Sequence, residues 1–176
     1  MFIEISGVNQ LKEWMSVHQL NESSIDMSTF NVVNKIKEDV LKNGDQALSK
    51  LTKQFDNVDL EPSEIKVKKE QIKAAYNHVS NDVVLALKNA AKNIKEYHLK
   101  QVPSDWEDQS TARTYGVQFR SIDAVGLYVP GGRAAYPSSV LMTAIPAVIA
   151  GCKRIVLVSP PTGGGIPPIV LVAADI

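Results

Sequence analysis

Apolar positions at near-helical spacing dominate the first two thirds of the chain. Phe30, Val33, Ile36, Val40 and Leu41 predict one helix, which Asn43-Gly44 stops with a glycine suited to a left-handed cap. Asp45 then caps a second helix with Leu48, Leu51 and Phe55 on its apolar face. Ile72, Ala75, Tyr76 and Val79 mark a third, broken by Ser80-Asn81-Asp82. Val84, Leu87, Ala91, Ile94 and His98 mark a fourth, and Pro103 ends the helical region. No fixed-period repeat is present, which argues against a solenoid.

The pattern then changes period. From Thr114 to Ile122, Tyr115, Val117 and Phe119 alternate with polar positions, as in a half-exposed strand. Ala124 to Val129 is a short, nearly continuous apolar run that ends in Pro130-Gly131-Gly132. Ser138 or Ser139 is placed to cap an apolar helix running to about Ala150, with Gly151 at its end. Arg154 to Val158 is a second apolar run, followed by a loop rich in proline and glycine from Ser159 to Gly165. Pro167-Pro168 opens a last helix, Ile169 to Ile176. Strand, glycine loop, helix, strand, glycine loop, helix predicts a βαβ unit of a parallel sheet, buried on both sides and with a right-handed crossover. The expected class is α/β: a helical region over 1–112, then the first half of a Rossmann-like parallel βαβα domain over 113–176. Two parallel strands do not bury themselves, and the last apolar helix has no cap at Ile176. The expectation is therefore a truncated domain, part of a longer protein, whose bare strands self-associate.

Composition sharpens this division. Only Gly7 and Gly44 of ten glycines precede Gly116, and seven of nine prolines lie at or after Pro130. Charges are concentrated in the first part, but Lys plus Arg and Asp plus Glu are both 19, for zero net charge. That balance argues against a nucleic-acid binder and against an electrostatic membrane tether. The longest apolar stretch, Val140 to Cys152, contains Thr143 and Pro146 and falls short of the ~20 residues of a membrane span. The start of the chain lacks the features of a secretory signal. One cysteine, Cys152, excludes an internal disulfide and a cysteine-based zinc site, and points to a reducing, cytoplasmic setting.

The segment from Val129 to Ser139 holds the most informative chemistry. Paired glycines allow close backbone approach, and the helix start that follows favours negative charge, as a phosphate would supply. Its spacing matches neither G-x-G-x-x-G nor the P-loop. A tight strand-to-helix turn with serine caps explains the same local features. His18, His78 and His98 are widely spaced and read as surface or packing residues. Cys152 reads as a packed thiol, Trp14 and Trp106 as anchors, and Lys66-Val67-Lys68-Lys69 as a solvated face.

Taken together, VGLYVPGGRAAYPSSVLMTAIPAVIAGCKRIVLVSPP, from Val125 to Pro161, resembles the signature of the histidinol dehydrogenase family. GDQALSKLTKQFD, IKAAYNHVSNDVVLALKNAAKNIKEYH and TGGGIPPIVLVAADI resemble the same family on either side. The resemblance implies a cytoplasmic, homodimeric, zinc-containing enzyme of histidine biosynthesis. Such an enzyme oxidises L-histidinol through L-histidinal to L-histidine with two NAD molecules in turn. It implies that Tyr128 contacts NAD, with Gly131 and Gly132 as loop-forming neighbours; Arg133 reads as a solvated loop arginine, the commoner case beside a phosphate contact. It places the zinc ligands (a Gln, an Asp and two His) and the Glu–His acid–base pair beyond residue 176. No catalytic or metal-binding residue is therefore expected here, and the chain alone is expected to be inactive. Two alternatives stand beside this reading. One is a related zinc-dependent NAD dehydrogenase of another small polyol or amino alcohol. The other is a short, non-catalytic nucleotide-binding protein.

Overall fold

A computed structural model describes residues 7–10, 14, 26–110, 112–131, 134–162 and 165–176. The chain divides into two units, Met1–Leu48 and Ser49–Ile176.

In the first unit, Met27–Asn43 forms α1. Asp26 caps it: the Ser28 amide donates to the Asp26 carboxylate at 3.0 Å. These hydrogen bonds, that of the Ser28 hydroxyl first, hold the Asp26 carboxyl below the usual range. Gly44 ends α1 at φ 57°, a conformation that favours glycine, and donates to the Val40 carbonyl. Helix α2, Asp45–Asp56, begins directly after it, with Asp45 as its first helical residue rather than its cap.

The second unit takes in the end of α2 and everything after it. Lys69–Ala75 forms α3, which tightens into a 3₁₀ turn at Tyr76–His78. The predicted third helix thus changes geometry halfway, and Val79 lies outside it in extended conformation. Helix α4 spans Asn81–Leu99, capped by Ser80, whose hydroxyl accepts from the Val83 amide. Its inner face is the predicted one: Leu87 is buried, and Val84, Ala91 and Ile94 pack on the core.

Two small sheets follow. Strands β1, Trp106–Gln109, and β2, Thr114–Val117, pair antiparallel, with Trp106 opposite Val117 and Gln109 opposite Thr114. The sequence pattern predicts a strand over Thr114 to Ile122; the strand stops at Val117 because Asp105 takes over the next backbone donor. The Asp105 carboxylate accepts from the Phe119 amide at 2.7 Å and from Arg120 at 3.0 Å. Both contacts hold its carboxyl below the ordinary range, the amide more than the guanidinium. Both strands are exposed, and Trp106 is no buried anchor: it stands half exposed, edge-on to Tyr115.

Strands β3, Ala124–Tyr128, and β4, Arg154–Val158, run parallel and in register from Ala124 opposite Arg154 to Tyr128 opposite Val158. Helix α5, Pro137–Ile149, connects them and packs over both. It starts earlier than the serines suggest. Tyr136 is the cap position, without a side-chain cap, and Pro137 takes the first turn, where a missing N–H costs nothing. Helix α6, Pro168–Asp175, packs on α5 and α3.

The core lies on one side of the β3–β4 pair. Val129, Val140, Val170 and Val172 are fully buried, and Leu87, Leu141 and Ala173 surround them. The expectation of burial on both faces is not met. Along β3 and β4 exposure alternates, with Tyr128, Val156 and Val158 on the open face. Among the described residues one layer of helices covers this sheet, on the Leu127 and Leu157 side. The architecture is a mixed α/β arrangement with, among the described residues, one parallel and one antiparallel pair. No described helix is long and apolar enough to cross a membrane.

Candidate functional site

The carboxyl ends of β3 and β4 lie side by side, because the register pairs Tyr128 with Val158 and the Val129 amide donates to the Val158 carbonyl at 2.9 Å. The loops leaving both strands therefore start at one edge, where parallel sheets carry their ligands. Tyr128 is the last residue of β3 and is 65% exposed, so it is not a core aromatic. Val129 behind it is fully buried and fixes the strand end against the core.

Gly131 follows Pro130 and faces the second loop. A Cβ at Gly131 would sit 2.7 Å from Pro160 Cγ and 2.9 Å from the Pro160 carbonyl oxygen. The missing side chain thus lets the two loops close on each other. Gly132 and Arg133 lie outside the described residues. The second loop is drawn in at its other end, where Thr162 and Gly165 exchange backbone hydrogen bonds at 3.0 and 2.6 Å.

Between these loops and the end of α2 lies a crevice of about 310 Å³, lined by Phe55, Asp56, Gly131, Pro160, Pro161 and Thr162. Sequence reading assigns Phe55 only to an apolar helix face and gives Asp56 no role. The fold brings both to the loops, across a sequence separation that periodicity does not report. Helices α5 and α6 both begin after these loops with no side-chain cap and no acidic residue in the first turn. Two helix starts of this kind suit a bound anion.

At the opposite end of the sheet, Ser121 and Ile122 before β3 and Cys152 before β4 line a larger, mostly apolar cavity of about 500 Å³. Cys152 is half-buried there. His98 borders it and shares a 2.7 Å hydrogen bond with Gln101. Among the described residues, no group of three or more His, Cys, Asp or Glu is arranged to hold a metal ion. The described residues thus do not form a zinc site.

The sequence model of the histidinol dehydrogenase family matches residues 19–176. The chain belongs to the histidinol dehydrogenase family. It is 49% identical over 143 residues to the histidinol dehydrogenase of Caldanaerobacter subterraneus subsp. tengcongensis, covering 81% of this chain and 33% of that protein. Identity to the histidinol dehydrogenase of Methanococcus maripaludis is 41% over 175 residues, 98% of this chain and 40% of the relative. The crystal structure of histidinol dehydrogenase from Elizabethkingia anophelis superposes with a TM-score of 0.78 at 36% identity, over 88% of this chain and 35% of that one. The chain thus spans a third to two fifths of the length of these histidinol dehydrogenases.

Proposed function

We propose that this chain forms the cofactor-seating part of a histidinol dehydrogenase. The complete enzyme would oxidise L-histidinol through L-histidinal to L-histidine, using two NAD in turn. The observation that carries the reading is the family match over 19–176 joined to two glycine-bearing loops at one sheet edge. In this reading β3, α5, β4 and α6 are the opening half of a Rossmann-like domain, residues 113–176, and the helices within 1–112 make up the helical region that precedes it. NAD, when bound, accepts the hydride; this chain's residues supply its seat. In this proposal Tyr128 presents its ring and hydroxyl at the strand end, and Gly131 and Gly132 are its cofactor-binding neighbours. The uncapped start of α5 supplies amide donors to the negative charge of the pyrophosphate.

The described residues do not fit zinc, and no proton-transfer step is assigned to them. Zinc, the histidinol contacts and the acid–base pair belong, in this proposal, to the rest of the enzyme, as does a homodimer working in the cytoplasm. The 176-residue chain by itself is expected to release no NADH from histidinol.

A chimera tests the whole reading. This chain replaces the matching third of the Caldanaerobacter relative, and NADH release from L-histidinol is followed. The expected result is turnover within about tenfold of the parent, a loss of no more than ~1.4 kcal/mol in barrier. A folded chimera that holds zinc but leaves L-histidinol untouched would contradict the proposal.

A further inference from the structure

The crevice between the two loops has a composition that a phosphate seat would not have. Among the described residues no cation lines it, and the one charged group is the Asp56 carboxylate. Asp56 is half-buried and makes no hydrogen bond or ion pair with the described residues. An acceptor-only group in that state calls for a ligand that brings donors. Its position is fixed locally: α2 ends at Asp56, and the chain turns away through Asn57 at φ 55°, a left-handed conformation that asparagine tolerates. The neighbouring Phe55 ring is 58% exposed, and Pro160 and Pro161 form an apolar wall. Its volume, about 310 Å³, lies at the small end of the roughly 300–1,000 Å³ of small-molecule sites, so it takes part of a ligand.

We infer that Asp56 receives a ribose diol of the dinucleotide, with Phe55 beside the attached base, so that this crevice selects a cofactor without a 2′-phosphate. The inference rests on the dinucleotide reading above and adds to it the residue that sets NAD against NADP. The two carboxylate oxygens accept from the two neighbouring hydroxyls, which water would otherwise satisfy. A phosphate on the 2′ oxygen removes one donor and brings like charge against the carboxylate. The pyrophosphate lies outside this crevice, towards the helix starts.

The test is equilibrium dialysis of the full 176-residue chain against NAD and NADP, with Asp56→Asn and Tyr128→Ala measured in parallel. Circular dichroism confirms folding of each variant. Wild type is expected to hold NAD at least about tenfold more tightly than NADP. Asp56→Asn should weaken NAD by about tenfold, the scale of a lost hydrogen bond to a charged group, and should bring the NAD-to-NADP ratio close to one. A wild-type ratio near one, or an Asp56→Asn ratio unchanged from wild type, overturns the role of Asp56. If Tyr128→Ala still weakens NAD in that case, the strand-end seat stands without it. Failure of the chain to bind either nucleotide overturns both.

Discussion

Gly131 shows how one absent side chain sets the spacing of a site. The Cβ of an alanine would enter the space of Pro160, 2.7 Å from its ring and 2.9 Å from its carbonyl oxygen. The backbone contact leaves no rotamer to relieve it. Gly131→Ala should therefore push the two loops apart and cost about 1–3 kcal/mol, read as a lower urea midpoint. Tyr76 makes the other long-range contact at this scale. Its hydroxyl donates to Asp175 at 2.8 Å and ties the end of α6 to the 3₁₀ turn after α3. Burial, then the Asp175 carboxylate, raises the phenol above its ordinary value of 10.0. The folded state therefore holds this proton more tightly than the unfolded chain. Its contribution is complete below pH 10 and fades as pH rises through the higher folded value. Tyr76→Phe should cost about 0.5 kcal/mol at neutral pH, since water reaches both groups, and should flatten the alkaline limb of a stability-versus-pH curve. An unchanged alkaline limb would mean the contact is idle.

The β1–β2 hairpin is the element least supported by the rest of the fold. Its strands are exposed, and an isolated hairpin is marginal in water. Asp105 clamps its base through the Phe119 amide and Arg120. The clamp is present above the ordinary carboxyl value of 3.8 and is lost as pH falls through the lower folded value. Asp105→Asn should speed amide exchange in Trp106–Gln109 and Thr114–Val117 while leaving β3 and β4 protected; exchange unchanged in the hairpin would show that the clamp is not needed.

This element also marks where sequence reading stops working. Trp-Glu-Asp-Gln in β1 carries one apolar residue and no alternation, because neither face of the hairpin meets the core. Helix α4 was legible for the opposite reason: Val84, Leu87, Ala91 and Ile94 all meet one core. Parallel pairing of the two apolar runs was legible too, since a helix and two glycine loops separate them. The open face was not, because β3 and β4 read as continuously apolar whether or not a second layer covers them. At the strand ends, Tyr128 and Gly131 stand out as residues beside a loop. Asp56 does not, since a carboxylate at a helix end looks like any solvated charge until the fold sets it against that loop.

At the scale of the whole molecule, the open face of the parallel pair is the dominant feature. Tyr128, Val156 and Val158 are 65%, 43% and 52% exposed on adjacent strands, with no second layer over them among the described residues. Such a face is prone to association. The chain should elute larger than a monomer at micromolar concentration, and Val156→Lys with Val158→Lys should shift it towards monomer without loss of helix signal. A monomer stable to concentration in the unmodified chain would contradict this. The central claim concerns the neighbouring edge: the dinucleotide sits at the carboxyl ends of β3 and β4. A backbone amide NMR titration of the chain with NAD tests it most directly. The account predicts shifts that cluster at Tyr128–Gly131, Thr162 and Asp56 and spare the cavity at Ser121, Ile122 and Cys152. Shifts confined to that opposite cavity, or no shifts at saturating NAD, would contradict it.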